Sequence, residues 1–386
     1  MSIIEENSKW IDETIKKIRT KMDWVSEKNR NKLPYTTDEN GNYNDFSDGK
    51  EYRLDSGINW WTNGFWGGLM WLLYLDTKEE KYMDIANICE EKLEHTFDIF
   101  FGLHHDVGFM FQLTSVANFQ ITKNENSKKN GMHAANLLAG RFNPIGNYIR
   151  AWNDHDGNLT SGWAIIDCML NISLLFWASK ESNDPRFKHI GMLHADTVAK
   201  SFIRENGSVN HIVEFNSETG EVVKTYGGQG YENGSSWTRG QSWAIYGFTN
   251  TYIHTSEKRY LDTAIKVADY CIFEIDETFI IPVDFKQPKE VKLEDSCGAV
   301  IIVSGLIELS KYVDERRKEK YLNYAINILK VIVEKRSDWS EDCDAIVKNC
   351  TGAYHSKESH HITMNYADYY FVEAIYKLKG IGKFMW

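Results

Sequence analysis

A weak internal repeat of helix pairs constrains the fold of this chain more than any other feature of its sequence. Four segments share a basic residue, an aromatic residue after it, and a small residue five positions after the basic one, and each opens a charged, amphipathic helix. These segments begin at Lys81, Arg186, Arg259 and Lys320. A much more apolar helix accompanies each of them, at residues 62–75, 161–178, 237–254 and 296–312. Amphipathic outer helices are therefore predicted to alternate with apolar inner helices.

The rest of the chain completes this alternation and brings the total to about twelve helices in six pairs. The additional helical segments begin at His104 and Gly131 or lie near 7–25 and 365–378. We therefore predict an all-α protein, an (α/α)6 barrel in which residues 1–386 form a single domain. Alternating apolar residues near 208–226 predict a small β-hairpin insertion. An open superhelical array of helix pairs is the alternative architecture.

Charge and composition exclude several classes of partner. The formal net charge is −11, and no basic stripe is present that would displace counterions from a nucleic acid. No apolar run reaches the roughly 18 residues of a membrane span. The six cysteines form no CxxC pair and are predicted to be reduced thiols, and the N-terminal sequence does not resemble a secretory signal. We expect a cytoplasmic protein that binds neither nucleic acid nor a membrane.

Asp167 is an acidic residue within an otherwise apolar segment, residues 161–179, whose length and composition predict a buried helix. Burying an ionised carboxylate is costly, and the usual outcome is a raised pKa, the state that a general acid requires. Trp163, Asp167 and Asn171 are four residues apart and would form one stripe on such a helix. This stripe is predicted to line a binding cleft. The alternative is a buried acid that pairs with an arginine or caps a neighbouring helix.

A second acidic residue, Asp106, follows two histidines just before an apolar run. In this segment, His104, His105 and Asp106 precede Gly108, which gives the backbone room to turn. Asp106 also suits the N-cap position of a helix. The triplet and the pair at His360 raise the alternative of a metal site, but no spacing matches HExxH or a cage of Cys and His. We predict no metal ligand here.

The glycine-rich segment 228–248 concentrates possible ligand contacts. Arg239 and Trp243 are four residues apart on a predicted helix face, and Gln229 lies in the loop before them. An arginine, an aromatic plane and the amides of a helix N-terminus together suit a carboxylate on a sugar ring. The alternative is a capped helix in which Arg239 pairs with an internal Asp or Glu.

These segments resemble those of the unsaturated glucuronyl hydrolases, glycoside hydrolase family 88. The resemblance runs from about Trp60 to Tyr370, and its specific parts are HDVGF, GWAIIDCMLN and QGYENGSSWTRGQSWAIYGF, in order and at appropriate separations. It implies that Asp167 is the acid/base residue and that Asp106 is the second catalytic aspartate. It also implies substrate contacts from Trp61, Phe65, His105, Trp152, His211, Gln229, Arg239 and Trp243.

The resemblance implies an (α/α)6 barrel that acts without metal or another cofactor on di- or oligosaccharides released by polysaccharide lyases. Such fragments carry a C4=C5 double bond in the terminal uronate, and acid-catalysed hydration of this vinyl ether would release the adjoining sugar. Glycosaminoglycan fragments are the expected substrates. Unsaturated rhamnogalacturonyl hydrolysis of pectin fragments and a non-catalytic carbohydrate-binding barrel remain the alternatives, and the latter gives no reason for an acid at Asp167.

A loop near the C-terminus contains the positions at which related enzymes are expected to bind sulfate. Family members that act on sulfated fragments carry Ser, a second Ser three residues later, and Lys two residues further on. Here these positions hold Ser356, Ser359 and His361. Histidine is only fractionally charged at neutral pH, so the resemblance implies a weakened sulfate contact. The alternative is a polar loop before the last inner helix.

Overall fold

Helices of two layers alternate along the chain in the computed structural model, which describes residues 3–47, 57–154, 157–382 and 385–386. The outer helices are α1 (Ser8–Lys28), α3 (Glu80–Glu94), α5 (Glu125–Ala139), α7 (Pro185–Ser201), α9 (Lys258–Glu274) and α11 (Glu315–Lys335). The inner helices are α2 (Asn63–Thr77), α4 (Val107–Phe111, a π-helical turn Gln112–Val116 and Ala117–Thr122), α6 (Cys168–Asn171 and Ser173–Ser182), α8 (Thr238–Thr255), α10 (Ser296–Leu309) and α12 (Asn365–Lys379). A single turn, Ile3–Glu6, precedes α1.

The inner helices form a closed ring. Each inner helix contacts the next one along the chain, and α12 contacts α2. This closing contact distinguishes the fold from an open superhelical array and confirms the predicted (α/α)6 barrel. Because an outer helix runs back between successive inner helices, the inner helices share one direction. Their N-terminal ends therefore meet at one end of the barrel.

The sequence patterns of the two layers have a simple cause. In the outer helix α9 the buried residues recur at steps of three and four, because only one face meets the ring. In the inner helix α10 every residue is buried, because neighbours surround it on all sides. Among the described residues, no helix is both long and apolar enough to span a membrane.

Aromatic side chains fill the barrel axis. Phe65, Phe109, Tyr370 and Trp386 form a contact network in which the rings of Tyr370 and Trp386 stack with centroids 6.0 Å apart. The Trp386 indole donates a hydrogen bond of 3.0 Å to Glu373 Oε1. The interior of the ring is therefore a packed core, and the space for a ligand lies at its ends.

Two small sheets supplement the helices. Strands β1 (Phe142–Asn143) and β2 (Tyr148–Ile149) form an antiparallel pair, and β3 (Trp163–Ile165), β4 (Ile212–Phe215) and β5 (Val222–Tyr226) form an antiparallel sheet in the order β3-β4-β5. The hairpin predicted near 208–226 is confirmed as β4 and β5. The third strand was not predicted.

The predicted helix over residues 161–178 is wrong in its first third. Trp163–Ile165 is strand β3, and the helix begins only at Cys168. A Cβ atom on Gly162 would lie 1.9 Å from the Phe215 carbonyl oxygen, so this close approach to β4 requires glycine. A short apolar run fits either a strand or a buried helix, and here an antiparallel partner decides. The predicted helical stripe of Trp163, Asp167 and Asn171 is therefore wrong, because Trp163 lies on a strand.

Candidate active site

Asp106 and Asp167 lie at the shared end of the barrel, each directly before an inner helix. Asp106 precedes Val107 of α4, and Asp167 precedes Cys168 of α6. Neither carboxylate accepts a capping hydrogen bond from its own helix. Asp106 therefore occupies the N-cap position that the alternative gave it, but its side chain does not cap the helix.

Asn171 joins the two aspartate-bearing segments. Its side-chain amide donates to Asp106 Oδ1 at 2.8 Å, and its Oδ1 accepts the Phe109 backbone N–H at 2.7 Å. A Cβ atom on Gly108 would lie 2.4 Å from the Asn171 Cα atom, so the two segments approach as closely as glycine allows. Asn171 is completely buried. It therefore fixes Asp106 relative to the helix that begins beside Asp167.

The carboxyl group of Asp167 favours its protonated form. Burial, and next the negative charge of Asp106, raise its pKa to about 8, while the positive charge of Arg239 opposes the shift. Its side chain is only 14% exposed, and its Oδ1 atom has no hydrogen-bond partner among the described residues. At neutral pH this group is therefore a buried carboxylic acid that can donate a proton.

His211 faces this acid as a neutral imidazole. Its Nε2 atom lies 3.8 Å from Asp167 Oδ1, and burial lowers its pKa to about 3. His211 Nδ1 lies 3.1 Å from the Gln229 backbone nitrogen and 3.3 Å from the Gly227 carbonyl oxygen, so it accepts the Gln229 N–H when the ring proton is on Nε2 and donates to Gly227 when the proton is on Nδ1. The ring packs on Trp237 with centroids 4.1 Å apart. These contacts hold a neutral imidazole in a fixed position beside the acid.

The His104, His105 and Asp106 triplet folds into one buried cluster. Asp106 Oδ2 lies 3.6 Å from His104 Nδ1 and 3.4 Å from His105 Nε2, and the two imidazole rings stack. Burial lowers the pKa of His105 well below its usual value. Potential ligand atoms of the three residues lie within 4.8 Å of one another, so this cluster is the part of the described chain that could hold a metal ion. The sequence-based expectation of no metal stays a prediction.

Arg239 is committed to contacts within the protein. Its Nη1 atom lies 3.1 Å from Asp295 Oδ2 and donates to the Thr351 carbonyl at 2.7 Å, while Nη2 donates to the Gly352 carbonyl. The side chain is 2% exposed. This arrangement agrees with the alternative from the sequence, in which Arg239 pairs with an internal Asp or Glu. Arg239 thus ties the start of α8 to the loop around Thr351.

The aromatic residues predicted to contact substrate fall into two groups. Trp61 and Trp152 are partly exposed, and Trp61 packs on Tyr366. Phe65 and Trp243 are 0% and 1% exposed and pack on Phe109 in the barrel core. These two rings offer no surface to a ligand in this structure, and their contact with substrate stays a prediction. Inner-helix packing, which the sequence does not specify, decides this difference.

The predicted sulfate loop is internally bonded. Ser359 Oγ accepts the Ala353 N–H at 3.1 Å and donates to the Ser356 carbonyl at 2.8 Å. The Ser356 hydroxyl donates to the carboxylate of Glu358. His361 is exposed and has a positive φ of 55°. The two hydroxyl groups are therefore already engaged, and an anionic side chain lies beside one of them.

Sequence reasoning missed Asp295 and Trp237, which hold Arg239 and His211. Asp295 directly precedes inner helix α10, as Asp106 and Asp167 precede α4 and α6. This recurrence of an aspartate before an apolar helix is a signal that was available in the sequence. No comparable signal marks Trp237.

Comparison with known proteins agrees with this geometry. The family model described as Glycosyl Hydrolase Family 88 matches residues 26–386. An unsaturated glucuronyl hydrolase of Bacillus sp. (strain GL1) is 30% identical over 86% of this chain and 90% of its own length. An unsaturated chondroitin disaccharide hydrolase of Streptococcus pneumoniae is 29% identical over 84% of this chain and 83% of its own.

Solved structures agree as well. The crystal structure of an unsaturated glucuronyl hydrolase from Streptococcus agalactiae superposes with a TM-score of 0.87 and 26% identity, covering 97% of this chain and 93% of that one. The family match extends over nearly the whole sequence, including every segment that forms the candidate site. The chain therefore belongs to glycosyl hydrolase family 88.

Proposed function

We propose that this protein hydrolyses unsaturated uronyl oligosaccharides that polysaccharide lyases release from glycosaminoglycans. The relatives from Bacillus and Streptococcus are named for this class of reaction. The observation that carries the proposal is the buried Asp167 carboxyl, whose pKa of about 8 keeps it protonated at neutral pH. Hydration of a vinyl ether begins with transfer of a proton, so this group has the form that the reaction requires.

The reaction proceeds by addition of water across the C4=C5 bond of the terminal uronate. Asp167 gives its proton to C4, and positive charge develops at C5, shared with the ring oxygen. A water oxygen bonds to C5 while its proton returns to Asp167, which regenerates the acid. The hemiketal at C5 then opens to a ketone, and its hydroxyl proton passes to the ring oxygen, which becomes a hydroxyl at C1. C1 in turn becomes an aldehyde as its bond to the glycosidic oxygen breaks, and the adjoining sugar leaves with the proton of that hydroxyl. One group therefore serves as acid and then as base.

Asp106 and His211 complete the site in this proposal. Asp106 Oδ1 accepts the Asn171 amide at 2.8 Å, and Oδ2 lies against His104 and His105. In this proposal the Asp106 carboxylate also accepts a hydroxyl group of the sugar. The negative charge of Asp106 also raises the pKa of Asp167. The His211 imidazole, whose Nε2 atom lies 3.8 Å from Asp167 Oδ1, positions the water or a substrate oxygen at the acid. Trp61, Trp152 and Gln229 are partly exposed and contact the substrate in this proposal.

The ultraviolet absorbance of the conjugated C4=C5 bond tests the proposal. Loss of the absorbance on incubation with unsaturated disaccharides from hyaluronan, chondroitin, heparin and pectin reports chemistry and ranks the substrates. A binding protein would leave the absorbance unchanged, and consumption of the pectin fragment alone would indicate a rhamnogalacturonyl hydrolase. The matched control is Asp167→Asn, which keeps the shape of the side chain but removes its transferable proton.

Unsulfated fragments are the preferred substrates in this proposal. A sulfate near Ser356 would meet the carboxylate of Glu358, which the Ser356 hydroxyl already contacts. Like charges repel, and the imidazole of His361 supplies only a fractional positive charge. Glu358→Gln and His361→Lys should each lower KM for a sulfated disaccharide and leave KM for its unsulfated counterpart unchanged. Equal shifts for both substrates would exclude a sulfate-reading role for this loop.

The enzyme acts as a single domain in the cytoplasm. The barrel ring closes between α2 and α12, so the first and last inner helices belong to one core. All six cysteines are free thiols, as a reducing compartment favours. Fractionation of the native host, with an antibody to the protein, tests the location.

A further inference from the structure

The three-stranded sheet beside the active site has two chemically different faces. Side chains alternate along a strand, so β3, β4 and β5 each direct every second residue to the same side. Ala164 and Val213 lie on the side that packs into the barrel core. The opposite side carries two cross-strand rows, Trp163 with Glu214 and Lys224, and Ile165 with Ile212 and Tyr226.

Partly exposed aromatic rings dominate this outer face. Trp163 and Tyr226 stack with centroids 5.0 Å apart and planes inclined by 24°, and Trp152 lies 6.1 Å from Trp163. The ammonium group of Lys224 lies 4.8 Å above the Tyr226 ring. All three rings remain partly open to solvent around a small apolar cluster. We call Trp152, Trp163 and Tyr226, together with Lys224, the aromatic platform.

The aromatic platform is continuous with the candidate active site. Strand β3 ends at Ile165, two residues before Asp167, and His211 directly precedes β4. The Ala151 N–H donates to the Trp163 carbonyl at 2.8 Å, and the Ala151 carbonyl accepts the His105 N–H at 3.3 Å. At about 3.3 Å per residue, Trp163 lies up to roughly 13 Å along the chain from Asp167. Near this upper limit, the aromatic platform lies beyond the sugar ring that is attacked.

We infer that the aromatic platform binds the sugar units of a longer acidic oligosaccharide beyond the two joined by the cleaved bond. This inference rests on the proposed function for its substrate class. Aromatic planes pack on the apolar faces of sugar rings, and Lys224 supplies a cation for the uronate carboxylates that recur along such a chain. Glu214, which accepts the Tyr226 hydroxyl at 2.5 Å, is an acceptor for sugar hydroxyls.

Dependence of the rate on chain length tests the aromatic platform. Unsaturated di-, tetra- and hexasaccharides from one unsulfated hyaluronan digest would be compared by kcat/KM, using the absorbance of the C4=C5 bond. The wild-type protein should favour the tetrasaccharide over the disaccharide. Tyr226→Ala and Lys224→Ala should remove about threefold to tenfold of that preference, the order expected for one ring contact or charged contact.

A matched control is available on the same strand. Thr225 pairs with Val213 on the core-facing side of the sheet, away from the platform, and Thr225→Ala should therefore leave the chain-length preference intact. Circular dichroism and thermal unfolding would check that each variant folds. Equal wild-type kcat/KM for all lengths, or a Tyr226→Ala variant with the wild-type preference, would overturn the inference.

Binding separates failure of this inference from failure of the proposed function. The Asp167→Asn protein should bind the hyaluronan tetrasaccharide more tightly than the disaccharide in calorimetry, and Tyr226→Ala in the same background should abolish the difference. Consumption of the disaccharide without any length effect would overturn the platform alone. Absence of turnover on every length would overturn the proposed function, and the calorimetric comparison would then decide the platform.

Discussion

Replacement of Asp167 by Asn should stabilise the fold while it abolishes turnover. The structure keeps this carboxyl protonated, with a pKa of about 8, because it is buried and lies near Asp106. In the unfolded chain the same group ionises near about pH 3.9. At neutral pH, folding therefore requires the uptake of a proton. An amide at this position is neutral in both states and removes that cost.

The sign and size of the effect follow from proton linkage. Below about pH 3.9 both states of the wild-type protein carry the proton, and Asp167 costs nothing. Between that pH and about 8 only the folded state carries it, so the free energy of unfolding falls by about 1.36 kcal/mol per pH unit. The loss of folding free energy caused by Asp167 reaches roughly 4 kcal/mol near pH 7. It stays constant above the pKa of Asp167 in the folded state. The value of roughly 4 kcal/mol is the upper limit of the gain from Asp167→Asn at pH 7.

Guanidinium unfolding at several pH values measures this gain directly. The stability difference between Asp167→Asn and wild type should be near zero at about pH 4 and should grow up to about pH 8. Turnover should fall by about 10²- to 10⁴-fold or more, because one group acts as both acid and base. A pH-independent difference, or a variant that is less stable at neutral pH, would refute the assignment of Asp167 as a buried neutral acid.

Asp338 provides a control of opposite sign. Hydrogen bonds from Ser340 and the ion pair with Lys348 lower its pKa to about 2, against the opposing effect of burial. A lowered pKa stabilises the fold above the unfolded value of about 3.9 and loses that contribution as pH falls toward 2. Asp338→Asn should therefore destabilise the protein at neutral pH. It should leave turnover unchanged, because Asp338 lies in a loop outside the candidate site.

Three further expectations concern catalysis. The wild-type kcat/KM should fall above about pH 8, where free Asp167 loses its proton, and a profile that stays flat beyond that pH would contradict its role as the acid. Dialysis against EDTA should leave activity intact, whereas loss of activity that zinc or manganese restores would make the His104, His105 and Asp106 cluster a metal site. Asn171→Ala should lower kcat more than it changes KM and should shift the alkaline limb of the pH profile, because Asp106 loses its 2.8 Å donor; an unchanged profile would exclude this positioning role.

The local sequence was sufficient to predict the barrel because the spacing of apolar residues and the overall polarity differ between outer and inner helices. An outer helix such as α9 buries one face, and an inner helix such as α10 buries every residue. These patterns depend only on consecutive residues, so they can be recognised in the sequence alone. The same holds for Asp167, since an acid within an apolar segment is conspicuous whether that segment begins as a strand or as a helix.

Other features depend on contacts between distant parts of the chain. Trp163–Ile165 is a strand because Ile212–Phe215 pairs with it, and the apolar composition of this segment suited a helix equally well. The sequence placed Asn171 near Asp167, but only folding brings its amide to Asp106, 65 positions away. The sequence left Arg239 two roles, contact with a substrate carboxylate or pairing with an internal acid. In the structure its guanidinium pairs with Asp295 and donates to the Thr351 and Gly352 carbonyls.

The sequence by itself therefore determined the helix pairs, the (α/α)6 barrel that they form, and the position of the acidic residue that the proposed function uses as the acid. The tertiary structure decided which polar groups meet that acid and which aromatic rings reach solvent. Phe65 and Trp152 illustrate the division, because both are aromatic residues predicted to contact substrate, yet one is completely buried and the other partly exposed. Residue type sets what a side chain can do, whereas exposure and hydrogen-bond partners depend on neighbours that are distant in sequence.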